Sequence, residues 1–214
     1  SGIDAIIAQD LGVFRPDKML HIGCGTGRRA VGIRDTAGVA YQLDGVDISA
    51  SMVEQARSRG VNARIGIWNE CTVAQGHYDA VAFLYAFGHI PTLEERRKSL
   101  NKVRDALRPG GRFYFDVFNA DNPNEWGPEA LRLFDHLNLA GEGYERGDLF
   151  YRRHDGESVA FLHYCTISGI AALVESCGFR IVGTHRIGYV DRPGEALQPD
   201  QEAGNILLVI EKPE

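Results

Sequence analysis

The sequence predicts an α/β fold, a seven-stranded, mostly parallel sheet with helices on both faces and an antiparallel last strand. Three observations predict it. Strand-like and helix-like stretches alternate five times, and parallel strands need such crossovers. Two further strand-like stretches, 179–187 and 205–212, follow with no helix between them, so the last runs against its neighbours. A glycine turn, His21–Ile22–Gly23–Cys24–Gly25–Thr26–Gly27, directly follows the apolar pair Met19–Leu20.

The elements follow in order. Apolar residues at 3, 6, 7 and 11 give the stretch 4–11 a helical face, which Phe14–Arg15–Pro16–Asp17 ends. Residues 18–22 form the first strand. The glycines after it permit a sharp turn and a close ligand approach. A helix over 28–35 ends before Gly38, and 41–46 is the second strand. Ser49 is a good N-cap for a helix over 50–59, closed by Gly60. Strand three covers 63–67, with Trp68 and Asn69 at its carboxyl edge. Strand four, 78–85, has the continuous apolar run of a strand buried on both faces. Thr92 caps a helix over 93–107, which Arg108–Pro109–Gly110–Gly111 stops, and 112–118 is strand five. Residues 119–155 are polar, with scattered aromatics and no regular period; an insertion of this kind serves as a substrate lid or a plain surface excursion. Thr166 caps a helix to Cys177, and Gly178 closes it. Residues 188–204 read as a mobile, proline- and acid-rich loop.

Composition bounds the function. The 214 residues suit one α/β domain, and 44% hydrophobic with 24% charged is ordinary for a soluble globular chain. No apolar run approaches the roughly 20 residues of a membrane helix, and no charged-then-apolar leader opens the chain. The net charge of −6 argues against bulk nucleic-acid binding while leaving room for a local basic patch. Cys24, Cys71, Cys165 and Cys177 lack any C-x-x-C spacing and read as reduced thiols of a cytoplasmic protein.

Ligands of such sheets bind at the carboxyl ends of the strands, where strand order reverses. The glycine turn lies there, and so does Asp47, about 20 residues past its last glycine, the distance at which an acid meets a ribose diol. A carboxylate at this position serves either a nucleoside sugar or the dipole of the following helix. The glycine turn upstream favours the sugar.

His21–Gly27, Gly45–Ser49, Tyr78–His89 and Leu107–Phe118, in this order, resemble the motifs of the class I S-adenosylmethionine-dependent methyltransferases. The resemblance covers residues 18 to 118 closely, and the helix from Thr166 with Gly178–Phe179 extends it. It implies a Rossmann-like fold with S-adenosyl-L-methionine as cofactor. By the same resemblance, Gly23, Cys24 and Gly25 line the methionine part and ribose, and Asp47 holds the ribose hydroxyls. Ile48 and Met52 flank the adenine. Asn69, with Trp68, falls beside the adenine amino group, and Leu84 and Tyr85 shape the methionine pocket and the methyl exit. The chain departs from the family at His21, where an acid commonly anchors the cofactor's ammonium group.

Methyl transfer from a sulfonium is an in-line displacement that demands alignment and exclusion of water. A hydroxyl or amine acceptor gains from a general base. His89 and His163 are the candidates, with Tyr164 beside the latter, and Tyr85 is placed to orient the acceptor. Arg152–Arg153–His154 offers a site for an acidic substrate or merely a solvated face. Residues Gly147–Arg152 and His163–Thr166 are also loosely similar to tRNA wobble-uridine carboxymethyl methyltransferases. Three readings follow. The first is a single-domain methyltransferase acting on a small molecule without metal. The second is the same chemistry on tRNA. The third is an inactive module that keeps the cofactor pocket, with His21 as its support.

Overall fold

A computed structural model describes residues 2–152, 156–188 and 204–214 of the chain. The first helix, α1 (Gly2–Phe14), is longer than its apolar spacing predicts and buries Ile3, Ile7, Ala8 and Leu11. Then come β1 (Lys18–Ile22), α2 (Arg28–Ala37), β2 (Gln42–Asp47), α3 (Ala50–Ser58), β3 (Asn62–Ile65), β4 (Tyr78–Phe83), α4 (Leu93–Ala106) and β5 (Leu107–Asn119). The helix starts anticipated at Ser49, Thr92 and Thr166 are real caps: their hydroxyls accept from the backbone N–H of Met52, Glu95 and Gly169.

Five strands pair in parallel in the order β3-β2-β1-β4-β5. After the insertion come α6 (Ile167–Ser176), β8 (Arg180–Ile187) and β9 (Asn205–Glu211). β9 lies antiparallel to both β5 and β8, so the seven-stranded sheet is as predicted, with the last strand reversed. The insertion adds to this count. It holds α5 (Gly127–Leu137) and β6 (Asp148–Arg152), and β7 (Val159–Cys165) follows it. β6 and β7 form an antiparallel pair, and the tip of β5 joins β7 through Phe118 and Asn119. The sequence signal is weak because β6 is half in solvent and β7 is buried on both faces over Leu162–Cys165, so neither alternates cleanly. Arg153, His154, the end of the proposed lid at Asp155, and residues 189–203 of the predicted mobile loop lie outside the described residues.

The pleat sends alternate side chains to opposite faces. Leu20 and Ile22 of β1 join Phe113, Phe115 and Val117 of β5 under α4 and α6. Met19, Tyr114 and Leu207 face α1, α2 and α3 instead. A third, smaller core of Ala120, Ala130, Leu149, Leu162 and Tyr164 holds the insertion together. Burying Ile3, Ile7 and Leu11 contributes roughly 1.5–3 kcal/mol each, which docks α1 firmly beside α2. Among the described residues, no helix is long and apolar enough to cross a membrane.

Candidate cofactor site

Strand order reverses between β1 and β4, and the crevice this leaves opens over the glycine turn. The turn owes its shape to three positive φ angles, at Gly23, Gly25 and Gly27. The three glycines serve different ends. A Cβ on Gly27 would lie 2.9 Å from Val61 Cγ2 and 3.1 Å from Ala56 Cα, so Gly27 exists for packing against α3. A Cβ on Gly25 would meet nothing within 4 Å, so the backbone there faces open space. α2 starts at Gly27 without any side-chain cap, leaving the amide groups of its first turn directed towards the crevice.

A cavity of about 730 Å³ lies over this turn, within the size range of a small-ligand site. Gly23, Cys24, Gly25, Leu84 and Tyr85 line it, five of the residues the sequence singles out. Asp47 is not among the lining residues but holds one of them, Gly25. One carboxylate oxygen accepts the Gly25 N–H at 2.8 Å and the other the Ser49 N–H at 2.9 Å. It thus ties the turn to the start of α3, and each oxygen keeps a further lone pair for hydroxyl donors. Burial, with the nearby Asp47 charge adding to it, pushes the Cys24 thiol up to about 11, so the sulfur is an inert wall.

The remaining predicted residues sit at different depths. Ile48 and Met52 are exposed at the start of α3, and Ile67 is exposed as well. Trp68 turns inward: its indole N–H donates to the Ser99 carbonyl, and its ring packs in the core under Lys102. Asn69 donates through Nδ2 to the Glu95 carbonyl and carboxylate, while its buried Oδ1 lacks a partner among the described residues.

Tyr85 has φ of 55°, a left-handed conformation rare for a residue with a side chain. Its N–H donates to the buried Asp116 carboxylate at 2.6 Å, and the Arg29 guanidinium lies 4.2 Å from its ring centre. Burial and the Asp116 charge push the phenol upward, so Tyr85 is a hydrogen-bond donor rather than a base. His89 and His163 are elsewhere. His89 Nδ1 pairs with the Phe161 carbonyl at 3.0 Å, and the ring packs edge-on to Phe118. His163 Nδ1 lies 2.7 Å from Asp148 Oδ1 and lines a second cavity of about 440 Å³ between α4, α6 and the insertion. Tyr164 is buried in the insertion core, its phenol pushed up to about 12 by burial and by Glu125.

Sequence reasoning missed several residues. Asp116 is an acid inside the apolar run Phe113–Phe118, a readable sign of a buried polar role. Arg96 shares a helical face with Ser99, Leu100 and Val103, and it is 1% exposed. Asp4 lies next to the buried face of α1 and reaches the first cavity together with Arg29 and His21. His21 is neutral. Burial, followed by the Arg29 charge, pushes its imidazole down to about 4, against a smaller pull from Asp4.

Residues 19–111 match a family model described as a methyltransferase domain. The chain is 31% identical over 129 residues to an O-methyltransferase, resE, of Aspergillus sclerotiorum, covering 56% of this chain and 46% of that one. It is 30% identical to the O-methyltransferase rstn1 of Aspergillus nomiae, covering 61% and 59%. The chain therefore spans about half the length of the curated relatives it matches. Among solved structures, a Methanosarcina mazei protein described as a SAM-dependent methyltransferase superposes with a TM-score of 0.72 at 18% identity, over 92% of each chain. A Burkholderia thailandensis 1,6-didemethyltoxoflavin-N1-methyltransferase, solved with S-adenosylhomocysteine, superposes at 0.65 with 19% identity, over 100% of this chain and 77% of that one. The fold is that of these solved methyltransferases, and residues 19–111 carry the likeness to a methyltransferase domain.

Proposed function

We propose that the protein transfers a methyl group from S-adenosyl-L-methionine to a small-molecule acceptor in the cytoplasm. The observation that carries this is the cavity over Gly25, where an unobstructed glycine backbone faces the crevice and is held by a carboxylate from the next strand. The residues present fit the cofactor. Gly25 leaves room for its sugar, and Asp47 keeps lone pairs for two hydroxyls. Exposed Ile48, Met52 and Ile67 offer an apolar slot for a base, beside the unpartnered Asn69 Oδ1. Curated relatives named as O-methyltransferases and the acidic balance of the chain favour a small acceptor over a nucleic acid.

The cofactor would supply an electrophilic methyl group on a sulfonium. The chain's own part is alignment and exclusion of water. Leu84 and Tyr85 wall the place where β4 ends, and the Tyr85 hydroxyl is held protonated, ready to donate to an acceptor oxygen or nitrogen. The insertion stands at the carboxyl end of β5, the same end as the glycine turn, and we assign it the role of lid over the acceptor. His89 and His163, both adjoining that insertion, remain the candidates for a general base.

Titration calorimetry with S-adenosylhomocysteine tests the reading. Saturable binding supports it, and no heat at millimolar ligand overturns it. Asp47→Ala should lower affinity by about 1.5–3 kcal/mol, the scale of a hydrogen bond to a charged group. Binding of tRNA that weakens steeply with salt would instead favour a nucleic-acid acceptor.

A further inference from the structure

The wall of the cavity beneath Leu84 and Tyr85 is charged in an uneven way. His21 contributes no charge, because it is 2% exposed and neutral. Arg28 and Arg29 bring cations from the first turn of α2. Among the residues lining the cavity, the one carboxylate is Asp4, and it comes from α1 rather than from the glycine turn. Its Oδ1 lies 3.4 Å from Arg29 Nε. The anchored apolar face of α1, Ile3, Ile7 and Leu11, holds Asp4 at this position. His21 Nδ1 is buried without a hydrogen-bond partner. A neutral imidazole protonated at Nε2 has a lone pair at that nitrogen, so it accepts and does not repel a cation.

An acid and a guanidinium thus line the cavity together, with a neutral acceptor nitrogen buried in its wall. The matching ligand chemistry is an α-amino acid group, whose ammonium and carboxylate sit on neighbouring atoms. We propose that Asp4, together with His21 Nδ1, receives the ammonium group of the ligand's amino-acid end, with Arg29 beside it facing the ligand carboxylate. This rests on the cofactor reading above and adds to it. In this arrangement the acid comes from the preceding helix, and His21 adds an acceptor nitrogen beside it. Arg29 sits against the Asp4 carboxylate and helps orient it, so the ion pair is part of the site.

Two ligands separate this proposal from the one it rests on. S-adenosylhomocysteine carries the amino-acid end. 5′-Methylthioadenosine shares the nucleoside thioether and lacks that end. The wild-type chain should bind S-adenosylhomocysteine more tightly than 5′-methylthioadenosine in titration calorimetry. Asp4→Asn should weaken S-adenosylhomocysteine about tenfold or more, while 5′-methylthioadenosine changes less than about twofold. Asp4→Glu should restore part of the selectivity. Equal wild-type affinity for the two ligands overturns the proposal whether or not the variant folds. So does an Asp4→Asn variant that loses both ligands equally, or neither. A wild-type chain that binds neither ligand overturns the cofactor reading itself, and this proposal falls with it.

Discussion

The Asp116 carboxylate on β5 accepts the Tyr85 backbone N–H at 2.6 Å, across the boundary between neighbouring strands. Tyr85 stands just past β4 in a left-handed conformation, and nothing in β4 itself requires that bend. Asn205 Nδ2 donates to the other Asp116 oxygen at 3.3 Å, so β9 also supports the arrangement. A buried acid in the sheet therefore sets where the cavity wall turns.

Asp116→Ala should destabilise the protein by about 1–3 kcal/mol, because it strands a buried N–H and releases a strained backbone. Urea unfolding measures this. Asp116→Asn keeps a carbonyl oxygen for the Tyr85 N–H and should recover most of the loss. An equal loss in both variants would show that charge, and not the hydrogen bond, is what matters there.

Gly25 and Gly27 should respond differently to alanine. Gly25→Ala meets open space and costs about 1–2 kcal/mol of left-handed strain, yet it puts a methyl group into the crevice. Its stability should fall by no more than that strain while S-adenosylhomocysteine binding is lost. Gly27→Ala adds the same strain and drives a methyl into Val61 and Ala56, so it should lower the melting temperature more. Thermal unfolding and calorimetry on both variants separate the two roles.

His21 makes stability depend on pH. The unfolded imidazole takes up its proton near 6.5 and the folded one near 4, so the unfolded state binds more protons between these values. Stability present above pH 6.5 is thus lost as pH falls to about 4, by roughly 3 kcal/mol over the whole window. Asp116 works in the opposite sense. Burial raises it from 3.8 to about 6, so its contribution is present below 3.8 and lost as pH rises through 6. The two partly cancel in the wild type. Relative to wild type, His21→Gln should gain stability as pH is lowered and Asp116→Asn should lose it. Urea midpoints at about pH 7 and about pH 4.5 check both signs.

Arg96 fastens the insertion to α4. Its guanidinium donates to the Ile90 carbonyl at 2.8 Å and to Glu145 Oε2 at 2.7 Å, while Glu145 Oε1 accepts the Leu93 N–H. Arg96→Ala removes a buried guanidinium from a partly exposed carboxylate and from the Ile90 carbonyl, and should cost about 1–3 kcal/mol. Hydrogen exchange should then speed up in residues 139–152 before the parallel sheet is affected. Uniform acceleration across the chain would contradict that assignment.

Much of this protein was legible in the chain itself. Alternating strand and helix periods, the caps at Ser49, Thr92 and Thr166, and a closing pair of strands without a crossover determine the sheet, its direction and the position of the crevice. The glycine turn and Asp47 are likewise readable, because backbone sterics and the reach of one crossover are local matters. The hairpin of β6 and β7 was not readable, since β6 stands half in solvent, β7 is buried on both faces at its end, and neither alternates cleanly. Nor was the separation of His89 and His163 from the cavity, which depends on how the insertion folds over β5. Tertiary structure alone decided which charges meet: Asp4 with Arg29 and His21, Asp116 with Tyr85, and Arg96 with Glu145. Such pairs join elements far apart in the chain, and sequence spacing carries no record of a distance that only packing creates.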